Sequence, residues 1–433
     1  MDFTPAKELL DKFCKHPYIS TDSRKIMPDS LYFALKGDNF DGNMFAGAAL
    51  DNGAAYAVID NPDNYTGERT LLVENVLQAL QSLASLYRSQ LKIPIIGITG
   101  TNGKTTTKEL MAAALSARFN TVATPGNFNN HLGVPLTLLS IKPDTEIAVV
   151  EMGANHPGEI AALCQIARPT HGLITNIGKA HLEGFGGYEG VIRAKSELYT
   201  YLNENGGTVF VNSGDELLMK ISINSYRITY GSDVMDAVNG RPNTDENGYL
   251  GVELKKPIDL SFTTKLAGAY NFPNVMAAIC IAEHFRVNVQ KVAEAIESYI
   301  PGMNRSQIFK TKTNTLILDA YNANPSSMKV AIENFSSFSA RSKVMILGDM
   351  FELGEASEAE HLEIVKLIKE KKFSKIYTAG PHFLKAACGA WEFESYQTTE
   401  ELMKALAINT PVNSTILIKG SRGMKLETII SVL

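Results

Sequence analysis

Apolar residues change their spacing along the chain, and each change predicts an element. Short apolar runs, Ser30-Leu31-Tyr32-Phe33-Ala34-Leu35 and Ala54-Ala55-Tyr56-Ala57-Val58-Ile59, lie between Gly/Asp/Asn turns and predict strands of a small α/β module. Val76, Leu77, Leu80, Leu83 and Leu86 then recur at helical spacing. From Pro94 onward the strands become uninterrupted apolar runs: Ile95 to Ile98, Ile147 to Val150, Gly172 to Thr175 and Thr208 to Val211. Runs without a polar face predict a mostly parallel sheet buried on both sides. The stretch from Asp233 to Lys265 is more polar, holds Gly240, Pro242, Gly248 and Pro257, and predicts an antiparallel excursion. After Pro301-Gly302 a second series begins, with strands at Thr315 to Leu318, Lys343 to Leu347, Lys375 to Thr378 and Thr415 to Ile418. Each precedes a Gly- or Asn-containing turn and helical patterning, which predicts a separate doubly wound domain.

Length and charge narrow the classes. A chain of 433 residues has room for about three domains, each with its own core. A net charge of −5, with no Lys/Arg-rich block, gives no attraction to nucleic acid or anionic lipid, so no nucleic acid partner is expected. Cys14, Cys164, Cys280 and Cys388 are far apart and signal neither a disulfide framework nor a zinc site, which fits a cytoplasmic location. The stretch Met1 to Glu8 is acidic and lacks the apolar core of a signal peptide, and no run of 18 apolar residues occurs. The expectation is a protein neither exported by that route nor membrane-spanning.

The strongest chemical signal is Gly100-Thr101-Asn102-Gly103-Lys104-Thr105-Thr106, between an apolar strand and a helix-patterned stretch. Such a turn lets backbone N–H groups and one lysine surround a nucleotide phosphate. The spacing departs from the common phosphate-loop pattern, since Ile98 occupies the first glycine's place. The physical needs survive: Gly100 and Gly103 permit the turn, Lys104 brings charge to the β/γ-phosphates, and Thr105 offers a hydroxyl to Mg2+. Ligands of open α/β sheets sit beyond the carboxyl ends of the strands, where Glu151 and His181 also fall. A carboxylate and an imidazole there can hold a second divalent cation against the γ-phosphate. Taken alone, such a glutamate is usually solvated and such a histidine usually structural; the phosphate loop is what lifts them. Lys195, taken alone, reads as a solvated helix residue.

Many segments resemble the Mur ligases of peptidoglycan synthesis: Thr21-Asp22-Ser23-Arg24 with Phe33 to Gly37; Gly100 to Thr106; Gly126-Asn127-Phe128-Asn129-Asn130; Glu151 to Ile160; Thr175 to Gly178 with Ala180 to Phe185; Tyr321-Asn322-Ala323-Asn324-Pro325; Gly348-Asp349-Met350 with Glu352-Leu353-Gly354; and Lys419 to Arg422. The resemblance is strongest to the family member that adds D-alanyl-D-alanine to UDP-N-acetylmuramoyl-tripeptide. It implies an α/β protein of three domains: 1–88 for the UDP-sugar-peptide, 89–302 a central P-loop-type parallel-sheet ATPase domain, and 303–433 a C-terminal Rossmann-like domain for the incoming dipeptide.

By resemblance, ATP is held by Gly100 to Thr106, Asn271, Asn274, Arg305, Asp319, Tyr321 and Asn322. Two Mg2+ ions are held by Thr105 and by Glu151, His181 and a carbamylated Lys195. Lys104, Glu151, His181, Lys195 and Arg305 are the implied catalytic set; Ser23, Arg24 and Asn130 are substrate-side candidates. Asn304 stands where the family usually has a glycine before the arginine, and Tyr270 and Pro273 also depart from its pattern. The implied reaction passes through an acyl phosphate, with the C-terminal domain closing about hinges near Pro94 and Pro301 and the enzyme acting as a monomer. The proton of the incoming amine could pass to His181, Asp349 or His361. Competing readings are a neighbouring amide ligase, either the one adding the third stem-peptide residue or a folylpolyglutamate-type synthetase, and a binding protein that has lost catalysis.

Overall fold

The computed structural model describes residues 3–433, so Met1 and Asp2 of the acidic N-terminal stretch lie outside the described residues. Three large sheets carry the described residues, beside a two-stranded antiparallel pairing of Lys36–Gly37 with Phe40–Asp41. The first has four parallel strands in the order Ile19–Ser20, Leu31–Phe33, Tyr56–Ile59 and Thr70–Leu72. The predicted strand at 30–35 stops early because the chain turns: Gly42 N–H donates to Leu35 O, and a Cβ on Gly42 would strike the Ala34 backbone.

The helix Val76–Gln90, capped by the Asn75 side chain, joins this module to the next. It packs on the helix Ala6–Lys15 on one side and on Gly133–Leu139 and Glu159–Ala167 on the other, within one apolar core running from Phe13 to Val134 and beyond. Arg88, buried near its end, donates to the carbonyls of Leu91, Ala167 and Arg168 at 2.8, 2.8 and 2.9 Å. The chain just before Pro94, where a hinge is expected, is thus tied to the central domain by these hydrogen bonds of the buried Arg88.

The central sheet has nine strands, in the order Leu260–Ala267, Tyr249–Lys256, Val238–Thr244, Tyr226–Gly231, Thr208–Asn212, His171–Ile174, Ile95–Thr99, Ile147–Glu151 and Thr121–Ala123. The three at the 260–267 edge form antiparallel hairpins, matching the excursion expected over 233–265; the rest are parallel. Ile95 faces the core shared with the first module, while Ile96 and Ile98 face a second core built on the helix Phe272–His284. That helix is buried nearly all round, as a helix apolar on every face must be.

The third sheet runs Gln307–Lys310, Thr315–Asp319, Thr415–Lys419, Lys343–Gly348, Lys375–Ala379 and Phe393–Tyr396, parallel except for its first pair. Alternate residues of each strand enter separate cores on its two faces: Ile317, Met345 and Leu417 on one, Leu316, Ile346 and Ile418 on the other. After Thr415–Lys419 only 3-10 turns follow, where helical patterning was expected; Lys425 takes φ +51° between them. Among the described residues, no helix is long and apolar enough to cross a membrane.

Candidate active site at the central and C-terminal sheets

Pairing in the central sheet aligns three strand ends. Ile98 pairs with Glu151 and Thr99 with Ile174, so the loops after Thr99, Glu151 and Ile174 leave the sheet at one level. A cleft of about 1050 Å3 opens there, and the C-terminal domain supplies its far wall.

The first of these loops is the predicted phosphate loop. Gly100 (φ +141°) and Gly103 (φ +78°) occupy backbone regions that favour glycine, and a Cβ on Gly103 would sit 2.8 Å from Asn274 Oδ1. The helix Lys104–Ser116 starts without a side-chain cap, leaving its first N–H groups for an anion. Lys104 Nζ folds back on the Gly100 and Thr101 carbonyls, at 2.7 and 3.1 Å, and burial pulls its pKa down. Thr101, Asn102 and Thr106 line the cleft as well.

Thr105 Oγ1 donates to Glu151 Oε1 at 3.2 Å, and Asn129 Nδ2 donates to the same oxygen at 2.8 Å. Glu151 Oε2 is buried and has no hydrogen-bond partner; its nearest cation, Lys108 Nζ, stands 3.8 Å away and donates instead to Gly126 O. A buried carboxylate oxygen left bare calls for a ligand, and a hard oxygen donor beside a threonine hydroxyl suits Mg2+.

His181 reaches the cleft from the third loop with φ +49°, and its Nδ1 lies 2.7 Å from Oε2 of Glu352 in the C-terminal domain. Burial pulls its pKa down; Glu352 opposes that, while Lys104 and Lys195 add to it. Lys195 is buried on the helix Tyr188–Glu204 behind the cleft wall, with Nζ donating to Ala154 O at 3.3 Å. Burial, then repulsion from Lys104, brings its pKa down to about 7. As an ammonium it has three donors and no lone pair to offer a cation.

Asn274 Nδ2 donates to Asn271 Oδ1, and Asn271 Nδ2 to Ala267 O, beside the phosphate loop. The guanidinium of Arg305 stacks 3.6 Å over the Tyr321 ring, with Arg422 5.1 Å from the same ring. Arg305 Nε is a second buried atom with no partner. Asn304 takes φ +55°, a conformation asparagine tolerates, which is why it can stand in a glycine's place. Asp319 is held by Lys419 Nζ at 2.6 Å, and Asn322 lines the cleft next to it.

The substrate-side candidates divide. Asn130 lines the cleft and its Oδ1 accepts from the Leu132 and Gly133 N–H groups. Ser23 and Arg24 do not line it; Arg24 is engaged by Asp22 through two 2.8 Å bonds on the first module's surface.

Two of the three candidate bases fall away. Asp349 and His361 are fully buried and do not line the cleft. Asp349 accepts from the His382 and Phe383 N–H groups at 2.9 and 2.8 Å. His361 Nε2 accepts from Met350 N–H, so its proton sits on Nδ1, facing Ser357 O at 2.7 Å. Sequence reasoning passed over Lys108, Asn129, Glu352, Lys419 and Arg422. Lys108 carried a signal, one helical turn beyond Lys104, and Asn129, Glu352, Lys419 and Arg422 lay in segments that resemble the family, but the last three meet the cleft only through the docking of the C-terminal domain.

The whole chain carries this likeness in known proteins. Residues 17–88 match the Mur ligase family catalytic domain, 98–282 the Mur ligase middle domain, and 304–422 the Mur ligase glutamate ligase domain. A Bacillus subtilis protein named UDP-N-acetylmuramoyl-tripeptide–D-alanyl-D-alanine ligase is 36% identical over 425 residues, covering 95% of this chain and 92% of that protein. A crystal structure of MurF from Acinetobacter baumannii superimposes with a TM-score of 0.86 at 31% identity, covering 95% and 92% of the two chains. The MurF ligase of Thermotoga maritima, solved in complex with ADP, gives 0.83 at 28% identity, covering 96% of each. Three matched regions in unbroken order and a full-length relative at this identity make the chain a member of the Mur ligase family.

Proposed function

We propose that this chain uses ATP to join D-alanyl-D-alanine to the free carboxyl of UDP-N-acetylmuramoyl-tripeptide, releasing ADP and phosphate. The observation that carries the reading is the convergence, on one cleft, of an uncapped helix start with Lys104, the bare Glu151 oxygen, and Arg305 from the C-terminal side. The likeness to the Bacillus subtilis ligase supports the choice of amine.

On this reading residues 1–88 hold the UDP-sugar-peptide, 89–302 the ATP and 303–433 the dipeptide. A carboxylate oxygen attacks the γ-phosphorus, the bond to ADP breaks, and an acyl phosphate forms. Two anions meet in that step, so Lys104 and Arg305 lower its barrier by offsetting their repulsion. Asn271, Asn274, Asp319, Tyr321 and Asn322 hold the nucleoside end. The dipeptide amine then attacks the acyl carbon, loses a proton, and expels phosphate with the C–O bonding pair. Of the three candidate bases, His181 alone borders the cleft. Walls from both domains keep water from the acyl phosphate.

Thr105, Glu151 and His181 would hold Mg2+, which neutralises charge on the transferring oxygens when bound. Lys195 joins that set only as a carbamate, which forms from a neutral amine, and a pKa brought down to about 7 by burial supports that reading. A 13C carbonyl signal on Lys195 under labelled bicarbonate, and partial rescue of Lys195→Ala by short carboxylic acids, test that modification; the absence of both removes it. We assign the reaction to a monomer in the cytoplasm, where ATP is supplied and the four cysteines stay free.

The deciding assay is ADP release from ATP with UDP-muramoyl-tripeptide, offered D-alanyl-D-alanine, meso-diaminopimelate, L-lysine or glutamate in turn. Turnover that requires the dipeptide is expected. Turnover with another amine selects a neighbouring ligase, and none with any amine selects a binding protein.

A further inference from the structure

Two guanidinium groups reach the cleft with no acid to meet them. Arg305 lies 3.6 Å over the Tyr321 ring and Arg422 stands 5.1 Å from it, and neither side chain has a salt bridge or a hydrogen bond among the described residues. Two like charges on one ring repel, and both are left open to anions from outside the chain.

The two arginines have different surroundings. Ser306, next to Arg305, is bonded to the central domain: its Oγ meets the Tyr270 hydroxyl at 2.9 Å and accepts from Asn271 Nδ2 at 3.2 Å, beside the phosphate loop. That keeps Arg305 at the nucleotide. Arg422 stands on a loop bonded into the C-terminal domain. Ser421 N–H donates to Asp349 O at 3.1 Å, Ser421 Oγ accepts from Phe351 N–H at 2.9 Å, and Thr399 Oγ1 donates to Met424 O at 2.7 Å. Gly423 lies so close to the Phe351 ring that an added Cβ would stand 2.6 Å from it. Phe351 itself is 42% exposed and lines the cleft, so an apolar face adjoins the free cation.

We propose that Arg422 takes the terminal carboxylate of the incoming dipeptide, with Phe351 and Gly423 covering its methyl groups, so that the amine at the other end points toward the acyl phosphate. This rests on reading the chain as a D-alanyl-D-alanine ligase. The dipeptide carries its one full negative charge at the end remote from the reacting amine. Its anchor must therefore be a cation, stand on the domain that brings the dipeptide, and lie a short peptide's reach from the γ-phosphate. Two extended residues span about 7 Å, and the two distances to one ring hold the guanidiniums within about 9 Å of each other. Lys419, the neighbouring cation, is already taken by Asp319 at 2.6 Å and Asn322 O at 3.4 Å. A guanidinium receives a carboxylate through two parallel N–H bonds, and contact with an aromatic face narrows the directions its fork can take. A single D-alanine, whose carboxylate sits one residue nearer its amine, would not reach both points.

The test compares D-alanyl-D-alanine with its C-terminal amide, which keeps the amine and both methyl groups without the charge, in ADP release by the full chain. Wild type should show a KM for the amide about thirtyfold or more above that for the dipeptide, the scale of a charge-assisted pair. Arg422→Ala should raise KM for the dipeptide by a similar factor and treat the two amines alike, with KM for ATP and for UDP-muramoyl-tripeptide in place. Arg422→Lys, which keeps the charge and loses the fork, should recover part of the preference. The ratio of the two KM values does not depend on how much of a variant is folded. A wild type that uses both amines equally well, or an Arg422→Ala variant that still prefers the dipeptide, overturns the proposal while leaving dipeptide-dependent turnover standing. A rise in KM for ATP instead of the dipeptide assigns Arg422 to phosphate and overturns it as well. A wild type that turns over neither amine overturns this proposal and the reading beneath it.

Discussion

Two buried acids stand on opposite sides of the cleft, and they differ in what their oxygens touch. Asp349 is enclosed and satisfied, taking two backbone N–H bonds at the start of the helix Pro381–Ala386, with His361 Nε2 3.7 Å away. Glu151 is as deeply buried, yet one of its oxygens has no donor. A satisfied buried charge organises the chain around itself, whereas an unsatisfied one is kept for something that arrives. Burial alone therefore does not mark function, and neither does a histidine beside an acid.

The largest effects should fall on the unsatisfied side. Lys104→Ala should abolish detectable ADP release and Glu151→Gln should lower it about thousandfold, matching the several kcal/mol of charge stabilisation at stake, with the melting midpoint little changed. Wild-type rates in either variant would erase the distinction between the two acids. Asp349→Ala should do the reverse, costing about 3 kcal/mol in denaturant unfolding as two buried N–H groups and a helix start lose their acceptor. If that variant kept its stability and lost turnover per folded molecule, Asp349 would return to the chemistry.

Lys195 sharpens the contrast through pH. Its folded pKa of about 7 lies below the ordinary 10.5, so burying the charged form costs stability in full below pH 7. Between about 7 and 10.5 the unfolded chain binds more protons than the folded one, and stability rises with pH. Lys195→Met should accordingly be more stable than wild type at pH 7, by up to about 4 kcal/mol, with the margin shrinking toward pH 10. A margin that is flat across that window would mean the amine is charged in the fold. The smallest effect belongs to the surface. Arg24→Ala should leave the melting midpoint in place and raise KM for UDP-muramoyl-tripeptide by at most about tenfold, with kcat unchanged. An unchanged KM removes Arg24 from the substrate's path.

What could be read from the chain follows from the same physics. Ile95 to Thr106 announced itself because an apolar strand, two glycines and a lysine are local, and Glu151 was placed by the strand it ends. Lys343–Gly348 and Thr415–Lys419 were visible as buried parallel runs. Thr121–Ala123, Gln307–Lys310 and Phe393–Tyr396 were not, since edge strands such as these carry half-exposed or polar residues and lose the apolar signature. Glu352 was quoted only as part of a family segment, and its meeting with His181 depends on how two domains dock. Lys195 looked solvated because its helix is amphipathic, and only the packed structure shows which side it takes.

The clamp formed by Arg88 and the helix Val76–Gln90 has one more effect. Because the first sheet and the strand leading into the phosphate loop share one apolar core, packing sets the separation between them, and a molecule anchored at both ends must have a matching reach. On the proposed reading, in which residues 1–88 grip the nucleotide end of the substrate, the joint works as a caliper: precursors with a truncated peptide would hold their carboxylate short of the γ-phosphate.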